Sequence, residues 1–527
     1  MANNVYLRYI FTMNKKIRYS GILLHPTSLP GQYGIGELGD EARSFVDILT
    51  ESSVGLWQIL PLGPVGFGNS PYAVRSAFAG NEFLISLDTL VDEGYLGFDD
   101  VVDTPHFPED SVDFPQVEAF KFPLLVKAAK RFIVQDESDS PFKEFCENQK
   151  KWLDDYALYR AMLDHYGDSR WFEVWDKDLT RRDEKAMSHW KEVKHKEIMV
   201  WKVLQYFFFR QWTALKTYAN ARGVAIVGDI PIFVAADSVD AWSNRRYLKI
   251  DAEGKSSALS GVPPDAFSET GQLWGNPVYD WDALEKDGFS WWVERMEHQF
   301  SLNDIVRIDH FRGFEAYWEV PAGHKTAEHG TWVKAPGEAF FNTLRKRFGT
   351  LPVFAEDLGV ITREVEQLRD SNGFPGMKIA QFAFDMLGPG KVDPSNPYLP
   401  HNYHPQCVAY TGTHDNDTTR GWFEKLDGGM KDIVRRYLSC SDDQVVWHLI
   451  RSVMASTARY VIVPMQDVLN LGGEARMNKP GTCGSPNWSW RMRGDALGEA
   501  TVHTLEAMGQ PFGRNAAFKD LNDALQS

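Results

Sequence analysis

Nowhere does this chain offer a run approaching the roughly 18 consecutive apolar residues that a membrane-spanning helix requires. Cysteine is scarce: Cys146, Cys407, Cys440 and Cys483 lie far apart in 527 residues, with no Cys-x-x-Cys pair. That spacing argues against a zinc site and a disulfide framework and suits a reducing compartment. Positive charge is in deficit, 56 Lys and Arg against 72 Asp and Glu, and the resulting formal charge of −16 disfavours a nucleic-acid backbone or an anionic membrane as partner. No phosphate-binding lysine accompanies the glycine-rich stretch Gly31-Gln-Tyr-Gly-Ile-Gly36, which reads as a tight strand-to-helix loop. Lys15, Lys16 and Arg18 follow a short apolar patch, the reverse of a signal peptide's order. There is no internal repeat and no low-complexity tract. The expectation is a cytoplasmic protein with no nucleic-acid and no membrane partner.

What is present has the texture of a globular enzyme, 43% hydrophobic and 24% charged. Aromatics are abundant at 13%, with 18 Trp, and rings with an apolar face and a polar edge suit carbohydrate surfaces, although most serve the core. Eight short apolar, β-prone runs can be picked out. They begin at Gly21, Val54, Val224, Ile305, Pro352, Met377, Cys407 and Tyr460. Most are followed by helix-like stretches, which predicts a (β/α)8 barrel. The barrel is expected over 20–490. A helical subdomain over 92–200 carries Trp152 to Tyr166, and the helix Glu197 to Ala221 leads back to the main body. A loop-rich lid is expected over 235–300, and a C-terminal segment over 470–527 packs on the barrel.

The fourth run, Ile305-Val-Arg-Ile-Asp-His-Phe-Arg-Gly313, laces charge into a buried strand. Arg307 and Asp309 are two residues apart and so share a face, and Arg307 can hold Asp309 ionised. Asp229, Glu356 and Asp415 fall at the ends of the third, fifth and seventh runs. In such barrels chemistry gathers at the C-terminal strand ends. A ring of acids there admits two readings. Hard oxygen ligands suit Mg²⁺ or Ca²⁺, while a carboxylate paired with a carboxylic acid suits glycoside chemistry. Arg307 beside Asp309 would compete with a cation, so the expectation is no metal and no cofactor.

Several motifs resemble the amylomaltases, or 4-α-glucanotransferases, within the wider α-amylase clan. They are His25-Pro-Thr-Ser-Leu-Pro30, Asn69-Ser-Pro-Tyr72, Gly228-Asp-Ile-Pro-Ile232, Gly261-Val-Pro-Pro-Asp-Ala-Phe267, Arg307-Ile-Asp-His-Phe-Arg-Gly313, Phe354-Ala-Glu-Asp-Leu-Gly359 and Thr411-Gly-Thr-His-Asp-Asn-Asp417. The likeness runs in order from about residue 20 to 490, and residues 1–19 have no counterpart. It implies Asp309 as nucleophile, Glu356 as general acid/base and Asp415 as a third carboxylate gripping sugar hydroxyls. It also implies a substrate-binding set of Tyr72, Ser70, Asp229, Trp274, Arg307, His414 and Asn487, with the Val262 to Trp274 segment arching over the acceptor side. Many amylases end their third barrel strand with Asp-x-x-x-Asn-His. Here Ile-Pro-Ile-Phe-Val follows Asp229, a departure shared with amylomaltases.

The implied activity is retaining transfer of a 1,4-α-glucan segment to another glucan, with α-1,4-glucans and maltooligosaccharides as partners and a monomer or weak homodimer as the assembly. A maltodextrin hydrolase with the same carboxylates is one alternative, and a non-catalytic glucan-binding barrel is another. Taken singly, Tyr72 and Trp274 read as core residues, Asp357 as a helix N-cap, and His25 and His310 as satisfied structural histidines.

Overall fold

The computed structural model describes residues 17–136, 139–264, 268–384, 386–388, 391–515 and 517. Eight parallel strands close into a barrel: Tyr19–Leu23, Leu56–Gln58, Ala225–Pro231, Ile305–Asp309, Val353–Ala355, Gly376–Ile379, Cys407–Tyr410 and Tyr460–Pro464. Each pairs with its neighbours in chain order, and the eighth closes on the first through Tyr19↔Tyr460. The strands are short and almost wholly buried, because the barrel interior covers one face and surrounding helices the other. The first and second strands approach so closely that a Cβ on Gly21 would lie 2.8 Å from Leu56 Cβ. The predicted barrel is therefore observed, with all eight strands in the predicted order. Several runs read as longer strands than they are. The sixth stops at Ile379, and Ala380–Phe384 continues as a 3-10 turn.

Helices fill the connections. The second strand leads into a long excursion with helices Phe114–Asp136, Ser140–Asn148, Lys150–Tyr166, Glu184–Val193 and His195–Ala221. The last of these buries a broad face that includes Trp201, Phe207, Phe208 and Trp212 and returns the chain to the third barrel strand. No helix among the described residues is long and apolar enough to cross a membrane.

The segment after the third strand differs from its expected loop character. It contains helices Val239–Ser243, Trp281–Lys286 and Ser290–Leu302 and the strands Ala258–Val262 and Gln272–Pro277. These strands join Ala316–Pro321 and Thr331–Lys334, from beyond the fourth barrel strand, in a four-stranded antiparallel side sheet. The physical reason is register at a distance: Gly261 pairs with Trp318 and Leu259 with Val320, partners that no local pattern reveals. Phe267, expected to help form a lid, lies outside the described residues. At the other end of the chain, helix Glu499–Gly509 precedes Arg514, whose buried guanidinium donates to the carbonyls of Tyr19 (3.2 Å), Met454 (2.7 Å), Ser456 (3.1 Å) and Ala458 (2.8 Å).

A buried ion pair helps to tie the helical excursion to the barrel. Lys121, fully buried on helix Phe114–Asp136, pairs with Glu37 in the first strand-to-helix connection. Its ammonium also donates to the carbonyls of Phe83 (2.7 Å) and Ile85 (3.0 Å). Removing one partner of a buried pair leaves an uncompensated charge, whereas replacing both with apolar groups is often neutral. Lys121→Leu should therefore destabilise the protein by about 3–5 kcal/mol. The double variant Glu37→Leu/Lys121→Leu should recover in urea unfolding only the part due to the unpaired Glu37 charge, because the Phe83 and Ile85 carbonyls lose their donor in both variants.

Candidate active site

The end of the fourth barrel strand positions the first group of charges. Arg307 and Asp309 share a face, and the register Asp229↔Arg307 brings the third strand's acid alongside. The Arg307 guanidinium is buried, with 3% of its side chain exposed, and divides its two ends. Nη1 donates to Asp229 Oδ2 at 2.6 Å and Nη2 to Asp309 Oδ1 at 2.8 Å. Only the Asp309 interaction was expected from the sequence, and the structure adds Asp229. Burial pushes the Asp229 carboxyl well above the usual range, Arg307 pulls it back, and the charge of Asp309 adds to the rise.

Asp229 Oδ2 also accepts from the Tyr72 hydroxyl at 2.8 Å. That hydroxyl lies 3.0 Å from His414 Nε2, and the two rings stack at 5.3 Å and 15°. With the phenol proton committed to Asp229, the network assigns the His414 proton to Nε2, which donates to the Tyr72 oxygen. Asp415 Oδ2 is a second acceptor at 3.3 Å. Burial pushes the imidazole below its ordinary value, so His414 is neutral. Trp488 completes the cluster, its centroid 5.8 Å from that of Tyr72 and 5.9 Å from that of His414.

Glu356 follows the fifth strand and is held differently. His310 N–H donates to its Oε2 at 2.8 Å, and Leu358 N–H to its Oε1 at 2.9 Å. The first bond depends on a turn: His310 has a positive φ of 53°, a left-handed conformation that is costly for a non-glycine residue. That conformation turns the chain directly after Asp309 and aims its peptide N–H at Glu356. Burial is the main cause that raises the Glu356 pKa well above the ordinary range, and the charge of Asp309 is the second. Arg307 and the two backbone N–H groups oppose them.

Asp415, after the seventh strand, is the most open of these acids, with 42% of its side chain exposed. A clasp from the C-terminal segment fixes it. Asn478 Nδ2 donates to Asp415 Oδ1 at 2.6 Å, Arg476 Nη2 to the Asp415 carbonyl at 2.6 Å, and Asn478 N–H to the His414 carbonyl at 3.0 Å. Arg476, Asn478 and Trp488 were not picked out from the sequence. They sit more than 60 positions beyond Asp415 in a Gly/Asn/Pro-rich tail, and no local spacing marks them.

The remaining candidates divide. The Ser70 hydroxyl accepts from Tyr72 N–H at 3.2 Å and so shapes the loop that delivers Tyr72. Trp274, on strand Gln272–Pro277, is 38% exposed and packs edge-to-face on His310 at 4.8 Å. The Asn487 amide is engaged in its own loop, accepting from Lys479 N–H (2.9 Å) and donating to the Thr482 hydroxyl (2.9 Å). Asp357 is not a helix N-cap, because Thr362 occupies that position of helix Arg363–Ser371. Asp357 is instead buried, accepting from Met377 N–H (2.6 Å) and pairing with Arg369. His25 accepts from Leu60 N–H at 3.3 Å, and burial pushes its pKa down to about 3, as a neutral structural histidine requires.

The sequence profile of the 4-alpha-glucanotransferase family matches residues 24–497. The chain is 48% identical over 509 residues to a 4-alpha-glucanotransferase of Synechocystis sp., covering 95% of this chain and 99% of that protein. It is also 48% identical over 503 residues to one of Thermus thermophilus, covering 94% and 98%. Among solved structures it superimposes on the amylomaltase from Streptococcus agalactiae in complex with acarbose with a TM-score of 0.91. Sequence identity to that chain is 40%, over 94% of this chain and 99% of that one. The amylomaltase from Corynebacterium glutamicum, at 18% identity and a TM-score of 0.74, shares the fold.

The raised Glu356 pKa carries a stability signature. Above the ordinary value near 4.5, the unfolded chain releases a proton that the native carboxyl retains. Glu356 therefore lowers native stability increasingly as pH climbs from 4.5 towards its raised value. Glu356→Gln should melt with the wild type below pH 4.5 and above it at neutral pH, the gap widening with pH in thermal scans. Asp309→Asn should lower the Glu356 pKa when the carboxyl is followed by ¹³C NMR.

Proposed function

The chain belongs to the 4-alpha-glucanotransferase family, and on that premise we propose how its strand-end carboxylates transfer a 1,4-α-glucan segment to the 4-hydroxyl of an acceptor. The observation that carries the assignment is the contrast between two acids at adjacent strand ends. Asp309 is paired with a buried guanidinium, while Glu356 has no cation of its own and a raised pKa. One is suited to attack as a carboxylate, the other to deliver a proton.

In the first displacement an Asp309 oxygen attacks the anomeric carbon, and the bond from that carbon to the leaving O4 breaks. Glu356 places its proton on that oxygen. Each Glu356 oxygen accepts one backbone N–H and has a second lone pair, so the proton can be carried without disturbing these bonds. Departure of the leaving glucan leaves a covalent glycosyl-enzyme ester on Asp309. Glu356, now ionised, takes the proton from the acceptor 4-hydroxyl as that oxygen attacks and the ester bond breaks. Two inversions restore the α configuration. The sugar supplies its own electrophile, so the reaction requires no cofactor.

The other residues hold the donor sugar and its surroundings. Asp415, with Oδ1 fixed by Asn478, turns its other oxygen to sugar hydroxyls. Tyr72, His414 and Asp229 form the wall beside it, with Arg307 setting the orientation of Asp309. Ser70 and Asn487 support the loops that carry Tyr72 and Trp488. Trp274 over His310 supports an acceptor position next to Glu356, with the strands Ala258–Val262 and Gln272–Pro277 as its frame. Four free thiols fit a reducing cytoplasm, and we place the protein there as a monomer or weak homodimer.

Bond counting separates transfer from hydrolysis. Cutting one α-1,4 bond and making another changes free energy little, so maltotriose should yield glucose and a ladder of longer dextrins at nearly constant reducing ends. Water at about 55 M loses only to a bound, oriented acceptor, whose effective molarity can reach roughly 10⁵ M or more. A steady rise in reducing ends without a ladder would instead establish a hydrolase. Asp309→Asn should keep the fold and lower turnover by several powers of ten. Activity within tenfold of wild type would remove Asp309 from the nucleophile's role.

A further inference from the structure

Of the eighteen tryptophans in this chain, two are exposed, Trp274 at 38% and Trp332 at 39%. They sit on different strands, far apart in sequence, yet both pack on the single turn that follows Asp309. Trp274 lies against His310, and Trp332 lies against Arg312 with the guanidinium carbon 3.7 Å from the ring centroid. The strands that carry them, Gln272–Pro277 and Thr331–Lys334, are the two edges of the four-stranded side sheet. Three strand spacings separate those edges, roughly 14 Å, which is a span of several sugar units.

Trp332 is held as a fixed plate. Arg312 is buried beneath it, donates to the Ala316 carbonyl at 3.4 Å and also bonds the Val360 carbonyl, in the loop that continues from Glu356. Trp318 packs against Trp332 at 5.2 Å and is itself anchored by its indole N–H to the Ala327 carbonyl at 2.8 Å. The indole is thus braced while more than a third of it stays open. Val360, 52% exposed, extends the same rim. An exposed, immobilised indole at the C-terminal face of a barrel is costly to leave in water and suits the apolar face of a pyranose ring. Nothing in the two displacements requires it.

We propose that Trp332 is a binding platform for a remote stretch of the α-1,4-glucan chain that passes Trp274, so that the side sheet presents two aromatic stations, one beside His310 and one beside Arg312. The proposal rests on the transferase reading and extends it to chain length. A glucan long enough to reach both stations gains a contact that maltotriose does not have.

The test uses the full-length protein in the Asp309→Asn background, so that binding is read without turnover. Affinities for maltoheptaose and maltotriose are measured by calorimetry, with and without Trp332→Ala. The expected result is a loss of preference for maltoheptaose over maltotriose of at least fivefold. Trp332→Glu offers Arg312 an ion pair in place of the stack and should lose the same preference, which guards against a variant that fails because Arg312 is left unpartnered. Equal weakening of both sugars in both variants would mean a purely structural plate, and unchanged affinity for both would mean no contact. Either result overturns the proposal. The wild-type maltotriose ladder is scored separately. A ladder without the length effect sinks this site alone, whereas absence of the ladder sinks the transferase reading beneath it.

Discussion

A single buried guanidinium, shared between two carboxylates, is the constraint on which the rest of this site depends. With 3% of its side chain exposed, Arg307 would be untenable alone at the barrel mouth, and so would the Asp229 side chain, which is fully covered. Together they are stable because the parallel register sets Asp229 directly beside Arg307 and sets Asp309 two residues further along the same face. The arrangement carries more negative than positive charge. Asp229 and Glu356 both bear the consequence, each with a raised pKa to which Asp309 contributes and which Arg307 opposes. The acidity needed at Glu356 is therefore set jointly by its burial and by a neighbour that must itself remain charged.

Much of this was legible in the primary structure, and the reason is local. Parallel barrel strands are covered on both faces and read as continuous apolar runs, so all eight announce themselves. An acid directly after such a run falls at the catalytic face by construction. Asp229, Asp309, Glu356 and Asp415 needed no tertiary information to be singled out. What stayed hidden has distant partners. The side sheet pairs residues 258–262 with 316–321 across a complete barrel strand, and neither segment has a strong alternation of its own. The clasp on Asp415 comes from Arg476 and Asn478. Asp357 followed the local rule for a helix cap and broke it, because Arg369 and the Met377 N–H give a buried carboxylate more than a helix start could.

Strain at the turn after Asp309 links geometry to chemistry. A left-handed histidine is tolerated only where surrounding contacts over-determine it. At His310 the carbonyl of Ile308 receives Glu356 N–H at 3.0 Å, and Phe311 N–H donates to the Glu356 carbonyl at 3.1 Å. The two strand ends are thus stitched together on both sides of the bend. Burial lowers the His310 imidazole pKa to about 3, with Arg312 adding to the effect, so no cation is introduced beside Glu356. The bend therefore supplies a hydrogen bond to Glu356 without supplying a charge, which would lower the very pKa that burial raises.

Three carboxylates at one barrel mouth have three environments, and that difference is the physical basis for the three roles we propose. Asp309 faces a permanent cation, which fixes the direction of its carboxylate. Glu356 is buried beside a neighbouring anion, and these favour its protonated form against the opposing pull of Arg307 and two backbone N–H groups. Asp415 faces a neutral amide and a neutral imidazole and stays open to solvent, so it can exchange water for sugar hydroxyls at little desolvation cost. On the proposed mechanism the positions are not interchangeable: a nucleophile in the place of Glu356 would be held in its protonated form by burial and the neighbouring charge. In the proposed mechanism function follows from where each carboxyl is held, and the register of the third and fourth strands together with the C-terminal clasp does the holding.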